Sequence, residues 1–203
     1  MATLPRPHTK ATRDDWVAAA RSALGETPID GLRVLNLAGD LSVSRSSFYW
    51  YFADVDELHA ELLAIWARNT ASIVERCERS TPSIVAACLG VFECWADEAL
   101  FDPTLDLAVR DWGRRDVEIA TRVADADLRR LDAIAAMFAG HGFDPDDSTV
   151  RARLLYHSQV GYYAVGTDEP MDVRVAYLPY YLEAMCAAAP TDEELAAFIS
   201  VLR

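Results

Sequence analysis

Long apolar runs are absent from this 203-residue chain, and no apolar segment of signal-peptide type stands near its N-terminus. A membrane-spanning helix needs about 20 consecutive apolar residues. The expectation is therefore a soluble, cytoplasmic protein with no membrane partner. Cysteine is sparse and unpatterned: Cys77, Cys88, Cys94 and Cys186 form no C-x-x-C pair, which reads as reduced core residues rather than a disulfide framework or a structural zinc site. His8, His59, His141 and His157 fall in four separate segments. Asp56 and His59 share a helical face but lack a second pair of ligands, so no metal site is expected. No Gly-rich loop precedes a helix, and Tyr156 and Val160 break the G-x-S-x-G pattern around Ser158. No catalytic residue and no cofactor are expected, and the chain does not read as an enzyme. Strand patterns, internal repeats and low-complexity tracts are also missing.

Positive charge is in short supply. Nineteen Lys and Arg stand against 32 Asp and Glu, a net charge of −13, which argues against a polyanionic partner, because phosphate binding is driven by cations and counterion release. The distribution is uneven, however. Arg6, Lys10, Arg13, Arg21, Arg33 and Arg45 outweigh five acids, so residues 1–52 balance to +1 and the remainder carries −14. Such asymmetry fits a chain whose first quarter meets an anion and whose acidic bulk does not.

What is present is helical punctuation and, with 52% apolar residues, enough material for a substantial core. Residues 1–11, with Pro5, Pro7, Arg6, His8 and Lys10, read as a positively charged arm. Thr12 reads as the cap of a first helix carrying Trp16, Val17, Ala20 and Leu24 at helical spacing, ended by Gly25. Pro28-Ile29-Asp30-Gly31 connects it to a second short helix carrying Val34, Leu37, Ala38 and Leu41. Ser44 then reads as the cap of a third helix, through donation from Ser46 or Ser47. In that stretch, Ser44 to Phe52, a 3.6-residue period puts Phe48 and Phe52 on a core face and leaves Arg45, Ser46, Tyr49 and Trp50 to project elsewhere. Three short helices with a tight turn before the third describe a helix-turn-helix, whose third helix enters the DNA major groove.

The order Leu37-Ala38, Val43-Ser44-Arg45, Phe48-Tyr49-Trp50-Tyr51-Phe52 and Asp56-Glu57-Leu58 resembles the signature of TetR-family transcriptional regulators, over about residues 12–62. The resemblance implies that Arg45, Ser46, Ser47, Tyr49 and Tyr51 meet base edges and phosphates, with Ser44 and Lys10 beside them, while Val43, Phe48, Phe52 and Leu58 pack. Trp50 is carried with the contact set, although its side is left open. Ser42 stands where the family usually has a turn glycine, so the turn must form without the freedom at positive φ that glycine supplies. Asp54-Val55 replaces the family's usual cation after Phe52. Asp54, Asp56 and Glu57 oppose a phosphate at the next helix's N-terminus, which implies weaker or more salt-sensitive DNA binding.

Beyond residue 53 the punctuation continues to be helical. A long helix runs from Asp54 to about Arg79, and the resemblance makes it the link between two domains. Thr81-Pro82 reads as the start of the next helix, Asp102-Pro103 and Asp116 as starts of two more, and a further helix runs from near Asp147 to Gly166. Another spans about Val173 to Ala189 and either starts later or kinks at Pro179. Thr191 to Glu194 reads as a capping box for the last. Leu107 to Trp112, Asp127 to Leu131, Gly142 to Asp144 and Arg151 to Leu154 resemble one branch of the same family. The resemblance places a homodimer contact on the helices near 147–166 and 174–189.

The expected architecture is all-α, with a helix-turn-helix DNA-binding domain at 1–53 and a helical ligand-binding and dimerisation domain at 54–203. A ligand pocket needs apolar walls with a few inward polar groups. Trp66, Asn69, Phe92, Trp95, Trp112, Tyr156, His157, Gln159 and Tyr163 supply that composition, and ordinary core packing accounts for many of them as well. Arg110 and Asp111 read as a structural ion pair. The reading is a homodimeric repressor released from a pseudo-palindromic double-stranded operator by a largely apolar small molecule. Two alternatives are a ligand- or partner-binding module with a degenerate DNA-reading head, and a helical-bundle enzyme built around Trp112 and His157.

Overall fold

The computed structural model describes residues 11–167 and 169–202, and among these it is all helical with no strand. The elements are α1 (Arg13–Ala23), α2 (Val34–Asp40), α3 (Val55–Cys77), α4 (Ile84–Ala96), α5 (Pro103–Gly113), α6 (Val117–Gly140), α7 (Pro145–Val165), α8 (Met171–Cys186) and α9 (Asp192–Val201), with 3-10 turns at Ile29–Gly31 and Arg45–Trp50. Most starts follow local capping chemistry. Thr12 and Asp15 form a reciprocal capping box on α1, and Thr191 and Glu194 do the same on α9. Asp102 and Asp144 cap α5 and α7 with Pro103 and Pro145 at the first helical position.

Three boundaries differ from expectation. The cap of α4 is Ser83, whose Oγ accepts from the Ala86 N–H at 2.9 Å. Thr81 and Pro82 lie in the turn before it, with Thr81 Oγ1 3.1 Å from His141 Nε2. The helix α8 begins at Met171 and continues past Pro179, which has no N–H for the Val175 carbonyl one turn back. The third short helix is a six-residue 3-10 segment capped in position by Ser44 but not by its hydroxyl. Instead Ser47 Oγ donates to the Ser44 carbonyl at 2.8 Å, and the Ser44 and Ser46 hydroxyls bond each other at 2.8 Å. Serine hydroxyls compete with the helical ladder for backbone partners, and here they favour the tighter turn.

The long α3, about 35 Å at 1.5 Å per residue, belongs to two apolar clusters. Leu58, Leu62 and Trp66 pack with Trp16, Leu37, Phe48 and Phe52 of the head and with Leu105, Val109 and Ile119 of α5 and α6. Farther along, Ile73 and Cys77 join Val91, Cys94, Ile134, Phe138, Leu155 and Leu182. The head is also tied down by ion pairs, Arg21 Nε to Asp102 at 2.8 Å and a bidentate Arg115–Asp30 pair at 3.0–3.1 Å. One continuous helix therefore contributes side chains to both clusters.

The turn between α2 and the 3-10 segment closes as a Schellman motif: Val43 N–H donates to the Ala38 carbonyl at 2.9 Å and Ser42 N–H to the Gly39 carbonyl at 3.0 Å. This geometry requires left-handed backbone at Ser42, where φ is +55°. A side chain there costs on the order of 1 kcal/mol that glycine does not incur. Ser42→Gly is expected to stabilise the fold by about that amount, a rise in melting temperature of about 2–4 °C for a chain of this size. Calorimetry that found no rise or a fall would show that the turn is unstrained.

Candidate functional site

The segment after that turn presents two faces. Phe48 and Phe52 are 0% and 1% exposed; their rings stack at 5.0 Å, and Trp16 meets Phe48 edge-on at 5.2 Å. Arg13 lies over the far side of Phe52, 4.7 Å from the ring centroid. This anchor fixes the backbone, and Tyr49 and Trp50 extend outward from it. Tyr49 and Trp50 are 56% and 75% exposed, a large outlay of aromatic surface to water for so short an element. Ser44, Arg45 and Ser46 are exposed beside them, while Ser47 and Tyr51 are half-buried, Tyr51 against the head core. The structure thus brings Ser44, Arg45, Ser46, Tyr49 and Trp50 to one outward surface and sets Ser47 and Tyr51 at its edge. Lys10 lies outside the described residues.

Cations at this surface are few. Arg13 is paired with Glu61 at 3.0 Å and Arg21 with Asp102, and the Arg33 guanidinium donates to the carbonyls of Asp30 and Leu32. Arg45 has no ion-pair partner among the described residues and is the cation free to meet a phosphate or a base edge. The start of α3 is closed by its own acids: Asp54 Oδ1 accepts from the Glu57 N–H at 3.0 Å, and Glu57 Oε2 from the Ala53 N–H at 2.7 Å. Amides already satisfied by carboxylates are poorly disposed toward a phosphate.

Along α3 and beyond it, the residues expected to line a pocket divide. Trp66 donates its Nε1–H to Asp106 at 2.8 Å, and Asn69 clasps the Asp102 backbone with two bonds of 3.0 Å. Tyr156 sits at the centre of a buried cluster, its hydroxyl 2.6 Å from Asp127, 2.7 Å from Arg110 and 2.8 Å from Arg130. Burial lifts the Tyr156 phenol to about 12. Arg130 is 0% exposed and Asp106 3%, joined at 3.0 Å. Burial raises the Asp127 carboxyl, but its bonds to Arg110 and Tyr156 outweigh that and leave it below the ordinary range. Arg110 pairs with Asp106 and Asp127, whereas Asp111 pairs with Arg115. The adjacent Arg110-Asp111 pair expected from the sequence therefore does not form: neighbours on a helix point about 100° apart.

Trp95 is buried, Trp112 meets His59 edge-on at 5.3 Å, and Tyr163 stacks on Phe101 and donates to the Trp95 carbonyl at 3.0 Å. His157 faces outward. Phe92 and Gln159 are the residues of that set that border a cavity of about 110 Å³ between α7 and α8, with Leu155, Val175, Leu178, Met185 and Phe198 as its apolar wall. Ser158, Tyr162, Glu169, Arg174 and Tyr181 form its rim. Sequence reading missed most of these residues because neither α7 nor α8 segregates apolar from polar positions. All four cysteines are reduced and buried, with Cys88 and Cys186 brought side by side at 3.2 Å from 98 positions apart. Among the described residues no cluster of His, Cys, Asp or Glu is suited to hold a metal, and no helix is long and apolar enough to cross a membrane.

No family model and no curated protein matches the sequence. Solved structures do match. The chain is similar to AmtR of Mycobacterium smegmatis (18% identity, 98% of each chain, TM-score 0.63). GusR of Salmonella enterica matches at 14% identity over 98% of this chain and 95% of that one, with TM-score 0.55. A Mesorhizobium loti protein assigned to the TetR family matches at 18% identity over 94% and 98%, with TM-score 0.55. The likeness runs from the helix-turn-helix through the last helix, and the chain therefore has the all-helical fold of TetR-family transcriptional regulators.

Proposed function

We propose that this protein is a ligand-responsive, sequence-specific DNA-binding regulator, a repressor released from a pseudo-palindromic operator by a small, largely apolar molecule. The observation that carries the reading is the exposed set Arg45, Tyr49 and Trp50 on a backbone pinned from behind by Phe48 and Phe52. Aromatic surface and an uncommitted arginine at a helix-turn-helix are suited to a groove, where arginine reads guanine edges or grips phosphate. Residues 1–53 act as the reading head and 54–203 as the effector and dimer region, with α3 spanning the two. The second copy packs on α7 and α8, whose outward sides expose Val150, Leu154 and Val165, and Tyr177, Tyr180 and Tyr181. Two heads then address two half-sites about one helical turn apart.

Selection of genomic fragments followed by a mobility shift at two salt concentrations tests this. A sequence-specific shift at low salt is expected, and its absence would sink the repressor reading in favour of a ligand-binding module with an inactive head. With so few free cations, binding should be weak and its salt dependence shallow, at about one unit of log–log slope per phosphate neutralised, rather than steeper as the missing cation after Phe52 suggested from the sequence. Arg45→Ala is expected to weaken operator binding by about 1–3 kcal/mol, roughly 5- to 150-fold, with melting temperature unchanged. Uniform weakening across sequences together with a slope reduced by about 1 assigns Arg45 to phosphate, whereas relaxed preference at one base pair assigns it to a base.

A further inference from the structure

The centre of the second domain, where the sequence placed the pocket, is filled by Arg130, Asp106 and Tyr156. The cavity lies instead in the seam between α7 and α8, and one buried group in its wall lacks a well-aligned partner. Gln159 is 7% exposed; its amide lies beside the Tyr163 hydroxyl, which donates to the Trp95 carbonyl, and its Nε2 completes no hydrogen bond of good geometry. A buried N–H left unpaired is unfavourable, and an acceptor on a bound molecule would relieve it. The remaining wall is apolar. The two charges at the rim oppose each other: the Arg174 guanidinium sits 4.8 Å from the Tyr162 ring centroid, and the Tyr162 hydroxyl is 3.5 Å from Glu169. Such a rim gives no net attraction to an ion and admits a neutral guest.

The mouth of the cavity carries the second observation. Ser158 and Tyr181 border it and are exposed, one helical turn from Leu154 on α7 and from Tyr177 on α8, which are 51% and 53% exposed. The opening therefore lies on the apolar face that α7 and α8 turn outward. We infer that the α7–α8 seam is an effector site completed by a second copy of this chain, taking a compact, uncharged, largely apolar molecule with one hydrogen-bond acceptor set against Gln159. The inference rests on the proposed dimer and effector response, and moves the effector from the domain centre to the subunit boundary. Because the second copy roofs the site, ligand binding and dimerisation strengthen each other by the same factor.

Cyclopentanone and cyclopentane are suitable probes, alike in ring size and differing in the carbonyl acceptor, with cyclopentanecarboxylate as the charged control. Sedimentation equilibrium of the full chain is expected to show cyclopentanone at millimolar concentration tightening the dimer at least three-fold, while cyclopentane at saturation and the carboxylate do so by less than half as much. Gln159→Leu is expected to abolish the preference for the ketone over the hydrocarbon. The comparison of probes in the unaltered protein decides the matter even if that variant does not fold. Equal response to all three, no response, or a chain that stays monomeric overturns the inference. The mobility shift separates this outcome from the wider reading. A protein that binds its operator but ignores the ketone refutes the seam site alone, and one that responds to the ketone without binding DNA refutes the regulator alone.

Discussion

Asp106→Ala is expected to destabilise the fold by about 3–5 kcal/mol, the cost of removing one partner from a buried ion pair. The carboxylate accepts from Trp66 at 2.8 Å, Arg110 at 2.7 Å and Arg130 at 3.0 Å. The cluster of Asp106, Asp127, Arg110 and Arg130 is neutral as it stands, and the substitution leaves it with an excess positive charge around a fully buried guanidinium. Arg130 already has one nitrogen, Nη2, without a partner, so it has little capacity to absorb a further loss. The faces of Trp66, Phe101 and Tyr156, 5.4–5.9 Å from its guanidinium carbon, hold the cation by position but do not neutralise it. Urea denaturation checks the magnitude. The double replacement Asp106→Leu with Arg130→Met should recover part of the loss, because both buried charges are then gone. A single-mutant cost below about 1 kcal/mol would mean that water reaches the cluster.

The same cluster sets an acid limit. The folded-state pKa of Asp127 is below its unfolded value. Its contribution is therefore fully present above the ordinary carboxylate range and is lost as pH falls toward the depressed pKa. In the pH range below about 4, stability should fall less steeply in Asp127→Asn than in the unaltered protein, as measured by urea midpoints on a pH series. Identical slopes would remove Asp127 from the acid response.

The parts of this molecule that were legible in the sequence are those governed by local chemistry. Thr12, Asp102, Asp116 and Thr191 start helices where their side chains satisfy first-turn amides, and that preference acts within three residues. The core side of the reading segment was legible too, because Phe48 and Phe52 are four positions apart. Its conformation was not: the serines around Ser44 offer hydroxyl partners that shorten the turn. The pocket was the least legible. Aromatic composition pointed to Tyr156 and Trp95 as well as to Phe92, but whether an aromatic lines a cavity or fills one depends on which distant side chains reach it. Arg130 comes to Tyr156 from 26 positions away and to Thr70 from 60. No periodicity within a single helix encodes such meetings, and the same holds for Cys88 and Cys186.

The neighbouring residues Phe48 and Tyr49 should respond to alanine in opposite ways. Phe48 is fully buried between Trp16 and Phe52, and its truncation leaves a cavity in a small cluster with few means of collapse; the expected cost is about 3–5 kcal/mol. Operator binding should be lost with it, because the segment bearing Arg45 and Trp50 loses its anchor. The far cluster around Ile73, Phe138 and Leu182 shares no side chain with Phe48, so amide exchange there should remain protected while the head opens. Tyr49 meets Phe48 edge-on at 5.4 Å but is more than half exposed, and Tyr49→Ala should change stability by about 0.5 kcal/mol or less. Its effect should fall on DNA, as weaker operator binding with the melting temperature preserved. Measured together by urea denaturation, amide exchange and mobility shift, the pair separates the fold of the reading segment from its use. If Tyr49→Ala costs as much stability as Phe48→Ala, Tyr49 belongs to the core, and Arg45 with the exposed Ser44, Ser46 and Trp50 would carry the contact with DNA.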